Sequence, residues 1–306
     1  MSQFTYTFII PHKNTPRLLE RCLDSIPSRD DIQVIVVDDG SETRLRPSIG
    51  RKDVELVHID ARHTKGAGKA RNMGLGMAKG KWVLFADSDD YYVNGFVDVL
   101  DCYKDSEFDA IFFNYDHIDG KTGKDMPVNE QQLMIAAYQS PKFDVDYLRF
   151  QIFAPWNKMV SRAFLTDNDI RFEEVSHGED ILYALRIGVN LRKVTVVPES
   201  LYVHVRTTNS ICTRTQTVEQ LLCRYRNDVR CIAFNRHIGH KEYNQSHLVC
   251  VLVLIKKSLF LRTIPFMVRL LFALPGIIRH RNDWNTAIFG SRDNLQILAG
   301  PSECNQ

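Results

Sequence analysis

The stretch Lys81-Trp-Val-Leu-Phe-Ala-Asp-Ser-Asp-Asp90 decides how the rest of this 306-residue chain is read. Trp82-Val-Leu-Phe-Ala86 is apolar at every position. A strand apolar on both of its alternating faces has no solvent side and belongs in a sheet covered on both faces. Three carboxylates follow within the next four residues. Asp87 and Asp89, one residue apart at a strand end, can converge on a hard divalent cation and its phosphates. Mg2+ and Mn2+ take oxygen ligands and keep waters or substrate phosphates in their shell. An isolated Asp-x-Asp is more often a solvated acidic turn, so its surroundings matter.

Working outward, Thr5-Tyr-Thr-Phe-Ile-Ile-Pro11 reads as a strand stopped by Pro11. Leu18, Leu19, Cys22, Leu23 and Ile26 have helical spacing over 17–26, with Pro16 tolerated in the first turn. Gln33-Val-Ile-Val-Val37 is a second apolar strand, ended by Asp38-Asp-Gly-Ser41, and Glu55-Leu-Val-His-Ile59 a third. A helix is expected over 69–78 and a further strand over 109–114. Strands alternating with helices predict an α/β fold: a Rossmann-like, mostly parallel sheet with helices on both faces. Ligands bind such sheets beyond the carboxyl ends of the strands. Pro11, Asp38, Asp39, Asp87 and Asp89 all fall there, on one rim. Residues 116–212 read as a continuation with shorter elements and a turn at 119–123. Residues 213–306 read as a helical, basic and apolar extension.

The charge total is +2, from 39 Lys/Arg and 37 Asp/Glu, which argues against a uniformly basic nucleic-acid binder. That total hides an asymmetry. Residues 1–200 carry 25 basic and 31 acidic side chains, residues 201–281 carry 13 and 3, and the last 25 residues carry 1 and 3. The seven cysteines are scattered and odd in number, with no Cys-x-x-Cys, so a disulfide framework is not expected and a reducing cytosol fits. The first 14 residues lack the basic n-region and long apolar run of a secretory leader. No run of about 20 residues is free of both charge and Pro.

Four further stretches could carry chemistry. Lys65-Gly-Ala-Gly-Lys69-Ala-Arg71-Asn-Met-Gly74 fails the dinucleotide fingerprint, because Arg71 stands where the third Gly belongs, and fails the P-loop spacing. It remains a basic loop entering a helix N-terminus, suited to a diphosphate. His177-Gly-Glu179-Asp180 precedes an apolar helical run. Its carboxylates serve either the helix dipole or, for one of them, general-base catalysis. Trp156-Asn157-Lys158 offers a ring that could stack on a sugar, or an ordinary core Trp. Tyr202-Val-His204-Val-Arg206 alternates like a strand, and His204 either ligates a metal or is structural.

Taken in order, Phe8-Ile-Ile-Pro11, Val36-Val-Asp-Asp-Gly-Ser41, Gly68-Lys-Ala-Arg-Asn-Met-Gly74, Ala86-Asp-Ser-Asp-Asp90, Trp156-Asn-Lys158 and Gly178-Glu-Asp180 resemble the family 2 glycosyltransferases. The resemblance spans about 4–211. It implies a GT-A fold with a catalytic domain over 1–212, split into a nucleotide-binding half (1–115) and an acceptor-side half (116–212). It also implies an inverting sugar transfer from a nucleotide sugar, a UDP-sugar above others, using Mn2+ or Mg2+. Carried onto this chain, Pro11, Asp38 and Asp39 lie by the base and ribose. Lys69, Arg71, Asp87, Ser88 and Arg206 lie by the donor. Asp89, with Asp87 and His204, holds the metal. Asp180 is the base, Glu179 its companion, and Trp156 and Asn157 meet the acceptor. His12 and Lys13 stand where the family often has a small residue and an aromatic.

A sugar nucleotidyltransferase would want a Gly-rich loop after the first strand, where this chain has Pro11-His-Lys-Asn-Thr15. A non-catalytic nucleotide-sugar-binding module would not need both acidic pairs. Residues 246–281 mix apolar runs with Lys256, Lys257, Arg262, Arg269, Arg279 and Arg281, and Pro265 and Pro275 interrupt them. That pattern suits lying on an anionic membrane surface, or packing on the catalytic domain or a second subunit as in a homodimer. The acceptor expected is a saccharide or lipid-linked saccharide of a bacterial surface polysaccharide. The enzyme would then be cytoplasmic, peripheral on the cytoplasmic face of the inner membrane.

Overall fold

The computed structural model describes residues 4–207, 217–243, 275–281 and 296–297. Its strands are β1 (Tyr6–His12), β2 (Ile32–Asp38), β3 (Val54–His58), β4 (Trp82–Phe85), β5 (Tyr91–Tyr92), β6 (Ala110–Asp119), β7 (Lys158–Ser161), β8 (Lys193–Arg206) and β9 (Gln296–Ile297). Its helices are α1 (Pro16–Asp24), α2 (Ala67–Met77), α3 (Phe96–Asp101), α4 (Glu130–Ala136), α5 (Val145–Gln151), α6 (Arg162–Asp167), α7 (Glu179–Asn190) and α8 (Val218–His237).

The sheet order is β3-β2-β1-β4-β7-β6-β8-β5, with β9 beside β8. β1, β2 and β4 are buried at every position, as apolar runs require. Alternation divides their side chains between two layers. Tyr6, Phe8 and Ile10 pack with α1 and α3 residues such as Leu19 and Phe96. Ile9, Val83 and Phe85 face Phe164, Tyr183 and Ile187 of α6 and α7. Each such apolar side chain contributes about 1.5–3 kcal/mol on burial.

β1 continues through Pro11 to His12. β4 pairing ends at Ile9↔Phe85, and the His12 carbonyl faces β2, accepting from Asp39 N–H. Residue 11 therefore points its missing N–H past the end of β4, where no ladder bond is lost. The sheet is also more mixed than expected. β7 runs antiparallel between β4 and β6, while β6 and β8 pair in parallel. β7 has only four residues, too few for a period to be read. β6 runs through position 115, so the expected division between halves falls inside a strand.

The extension begins as α8, whose Phe234 meets Phe150 of α5 and packs with Leu182 and Leu185 of α7. The membrane-surface reading falls on residues 246–274, outside the described residues; only 275–281 of that segment are described. Among the described residues no helix is long and apolar enough to cross a membrane. Cys22, Cys223 and Cys231 are free thiols, whereas Cys102 is disulfide-bonded, which the scattered cysteines did not predict.

Candidate functional site

The rim holds two acidic clusters. In the first, Asp38 ends β2 almost wholly buried. Its Oδ1 accepts from the Ser41 hydroxyl and pairs with His12 Nδ1 at 3.0 Å, and its Oδ2 pairs with His58 Nδ1 at 3.1 Å. Burial would lift its carboxyl, but these three partners outweigh that and hold it below the ordinary range. His12, likewise buried, is held below its usual value by desolvation. Asp38 is therefore saturated from within the chain. Asp39 differs: its Oδ2 meets the half-exposed Lys13 at 3.4 Å, while its Oδ1 is buried with no partner among the described residues. An unmet acceptor of that kind costs free energy unless something donates to it. Pro11, buried, lies one residue before His12 on the same strand end.

The second cluster centres on Arg71. Its guanidinium donates to Asp87 Oδ1 at 2.7 Å and to Glu179 Oε1 at 2.8 Å, and it lies over the Phe172 ring. Burial opposes its charge, yet Asp87, Glu179 and Asp180 together hold it above the ordinary arginine range. Two glycines permit this meeting. A Cβ on Gly68 would lie 2.1 Å from the Glu173 carbonyl oxygen, so only Gly lets α2 approach the 173–179 segment. Gly178, at φ +70°, turns the chain into α7 and presents Glu179 and Asp180 in its first turn. α8 braces that turn from outside, since Asn227 Nδ2 donates to the His177 carbonyl at 3.0 Å.

Asp180 keeps some surface but sits deep in this cluster. Desolvation and the adjacent Glu179 push its carboxyl up to about 7, against the pull of Arg71. Such a group takes and releases a proton near neutrality, as a general base should. Lys158, almost wholly buried, donates to the carbonyls of Ile152 and Ala154. Burial drives its ammonium down to about 7, and Asp180 pulls it back up.

The Asp87–Asp90 turn is clamped on two sides. Arg21 of α1 donates to the Asp89 carbonyl, and Ser25, the residue that caps α1, accepts from Tyr92 N–H. Tyr202 of β8 accepts from Asp87 N–H and donates to Asp90, whose other oxygen accepts from Val205 N–H. Desolvation and Asp87 raise Asp89 to about 6. Asp90, more deeply buried, is raised well above the carboxylate range by desolvation and its two acidic neighbours. Ser88 lies 3.2 Å from the Thr15 hydroxyl.

The remaining expected residues are placed as follows. Trp156 is buried, its ring stacked on Tyr202 and His204 at 4.8 and 5.3 Å. Asn157 is wholly buried, and its amide has no partner among the described residues. Lys69 turns back to the His63 carbonyl. Arg206 is exposed at the end of β8. His204 faces His117 at 4.8 Å, and burial followed by that neighbour lowers it.

For a divalent cation the donor set fits in part. Asp87 and Asp89 supply hard oxygens, and desolvation followed by the neighbouring Asp87 raises the Asp89 carboxyl. Among the described residues, however, no three His, Cys, Asp or Glu converge as a protein-only shell, so His204 does not complete one. Donor phosphates and waters would have to supply the rest.

Sequence reasoning missed Tyr202, Asp90 and His12 as organisers. Tyr202 was within reach, because it precedes His204 by one strand period. The meeting of Arg71 with Glu179, 108 residues apart, had no local signal.

The glycosyl transferase family 2 model matches residues 7–167. Poly(ribitol-phosphate) beta-N-acetylglucosaminyltransferase TarS of Staphylococcus aureus is 27% identical over 208 residues, 64% of this chain and 35% of TarS. Glycosyltransferase GlyG of Streptococcus pneumoniae is 25% identical over 220 residues, 66% of this chain and 71% of GlyG. The chain thus spans about a third of TarS and rather more of GlyG. The crystal structure of S. aureus TarS 1-349 in complex with UDP-GlcNAc superposes with a TM-score of 0.59 at 20% identity, covering 94% of this chain and 82% of that one. At that identity the likeness is one of fold, and the fold is GT-A.

Proposed function

The chain belongs to glycosyl transferase family 2, and from that premise we propose that it moves a sugar from a nucleotide-sugar donor to a hydroxyl of a saccharide acceptor, with inversion. The carrying observation is the Arg71 bridge, which makes the strand-end Asp87 and the helix-start Glu179 one charge network beside Asp180.

In this reading Asp39 offers its unmet Oδ1 to a base or ribose donor, with Pro11 alongside. Asp89, with Asp87, would hold Mn2+ or Mg2+, which when bound offsets charge on the leaving diphosphate. Arg71 stays fixed on its two carboxylates and keeps Glu179 and Asp180 in register with the donor end. Asp180 accepts the acceptor hydroxyl proton as that oxygen bonds to the anomeric carbon. The bond from that carbon to the diphosphate oxygen breaks, and the nucleoside diphosphate leaves from the opposite face. Lys158, itself buried, limits the cost of charge on Asp180.

The donor read here is a UDP-sugar, hexosyl or N-acetylhexosaminyl. TarS is named for N-acetylglucosamine transfer and has been seen with UDP-GlcNAc, which supports this reading without extending to the acceptor. A lipid-linked saccharide, met at an anionic membrane surface through 246–281, is the acceptor class we favour. The decisive test is release of nucleoside diphosphate from a panel of nucleotide sugars with Mn2+ present. Release from one donor, dependent on Asp180, is expected. No release from any donor, with or without saccharide acceptors, would sink the transferase reading. Flotation with anionic vesicles tests the membrane part separately.

A further inference from the structure

We propose that Tyr202 is a positioning residue that ties the Asp87–Asp90 turn to the buried Trp156 ring, so that core packing fixes the backbone of the donor end. Its value for catalysis rests on the reading of the rim as a nucleotide-sugar site.

Tyr202 is fully buried in β8. Its hydroxyl accepts from Asp87 N–H at 3.0 Å and donates to Asp90 Oδ2 at 2.9 Å. The remaining oxygen of Asp90 accepts from Val205 N–H at 2.7 Å, closing a loop from the turn back to the same strand. These bonds fix the backbone at Asp87 and, through Asp90, the direction in which Asp89 projects. The other end of the side chain is aromatic. Its ring lies parallel to Trp156 at 4.8 Å, with an interplanar angle of 10°, and edge-on to Tyr92 at 5.1 Å. His204, one strand period further on, stacks on the same Trp156. Packing sets the ring, and the ring sets the hydroxyl. A shift of Trp156 is therefore felt at Asp87 through rigid groups alone. Ordinary core packing would need the ring but not the hydroxyl, and that separates the two explanations.

Tyr202→Phe removes only the oxygen. Tyr6→Phe is the control, because Tyr6 is equally buried and its hydroxyl bonds Asp101 at 2.9 Å. It sits at the opposite end of β1 from the rim. Two measurements decide. In the ligand-free protein, hydrogen exchange over 86–92 should accelerate in Tyr202→Phe and not in Tyr6→Phe. Equal exchange in both variants overturns the proposal. Calorimetric binding of UDP with Mn2+ should weaken by about tenfold in Tyr202→Phe and stay unchanged in Tyr6→Phe. Unchanged binding in Tyr202→Phe, or equal weakening in both, likewise overturns it. If the wild-type chain binds no UDP, the donor reading has failed, and the exchange measurement still decides whether Tyr202 holds the turn.

Discussion

Two groups of carboxylates share one rim and are treated in opposite ways. Asp38, at the end of β2, is met by Ser41, His12 and His58, and its carboxyl is held low. Asp180, at the start of α7, and Asp89, after β4, lie half-buried among other acids with fewer donors and are raised to about 7 and about 6. Asp38 is finished from within the chain, its two oxygens taken by Ser41, His12 and His58, whereas Asp39 beside it keeps one oxygen unmet among the described residues. The second group is short of positive charge, although Arg71 is stretched across two of its members. A saturated carboxylate stabilises a fold, and an unsaturated one is available to a ligand or a proton. Distance from the rim does not separate them; the supply of donors does.

The largest effect expected is on turnover. Asp180→Asn should lower sugar transfer by roughly a thousandfold, the scale of losing a general base, with UDP–Mn2+ binding unchanged. Turnover within tenfold of wild type would end the distinction between the two groups. Next comes Arg71→Met, which strands Asp87 and Glu179 without their shared partner. A loss of about 3 kcal/mol in urea unfolding is expected, at the low end for a broken buried pair because Asp87 is partly solvated.

The pH dependence sharpens the comparison further. The folded state keeps the Asp180 proton that the unfolded chain releases near pH 4. Its contribution to stability is therefore largest below about 4 and is lost as pH rises through about 7. Asp38 runs the other way: its contribution is present above the unfolded value and is lost as pH falls through its lowered one. The urea midpoint of Asp180→Asn should thus exceed that of wild type by a margin that widens from about pH 5 to about pH 8. Turnover of the wild type should fall as pH drops below about 7. A margin that narrows with rising pH would reverse the assignment. The smallest effect belongs to His58→Ala. Its half-exposed ring is one of three partners of Asp38, so about 1 kcal/mol or less is expected by thermal denaturation. A much larger loss would mean that Asp38 is less saturated than its geometry implies.

Much of this was legible beforehand. The runs 34–37 and 82–86 announce buried strands because every residue is apolar. The rule that ligands meet the carboxyl ends put Pro11, Asp39, Asp87 and Asp89 together on one rim. The antiparallel β7 escaped notice because four residues with polar ends carry no period. Trp156 and Asn157 stand out by residue type; their burial, which residue type does not fix, follows from packing.

The sequence by itself determined the alternation of elements, the rim and the family, since these depend on residue type and order over short distances. Tertiary structure decided which charges meet. Arg71 reaches Glu179 across 108 residues and Tyr202 reaches Asp90 across 112. The proton affinity of each carboxylate follows from those meetings and from burial. Both are properties of packing, because electrostatic energy depends on separation in space and on the water excluded, and neither is written along the chain.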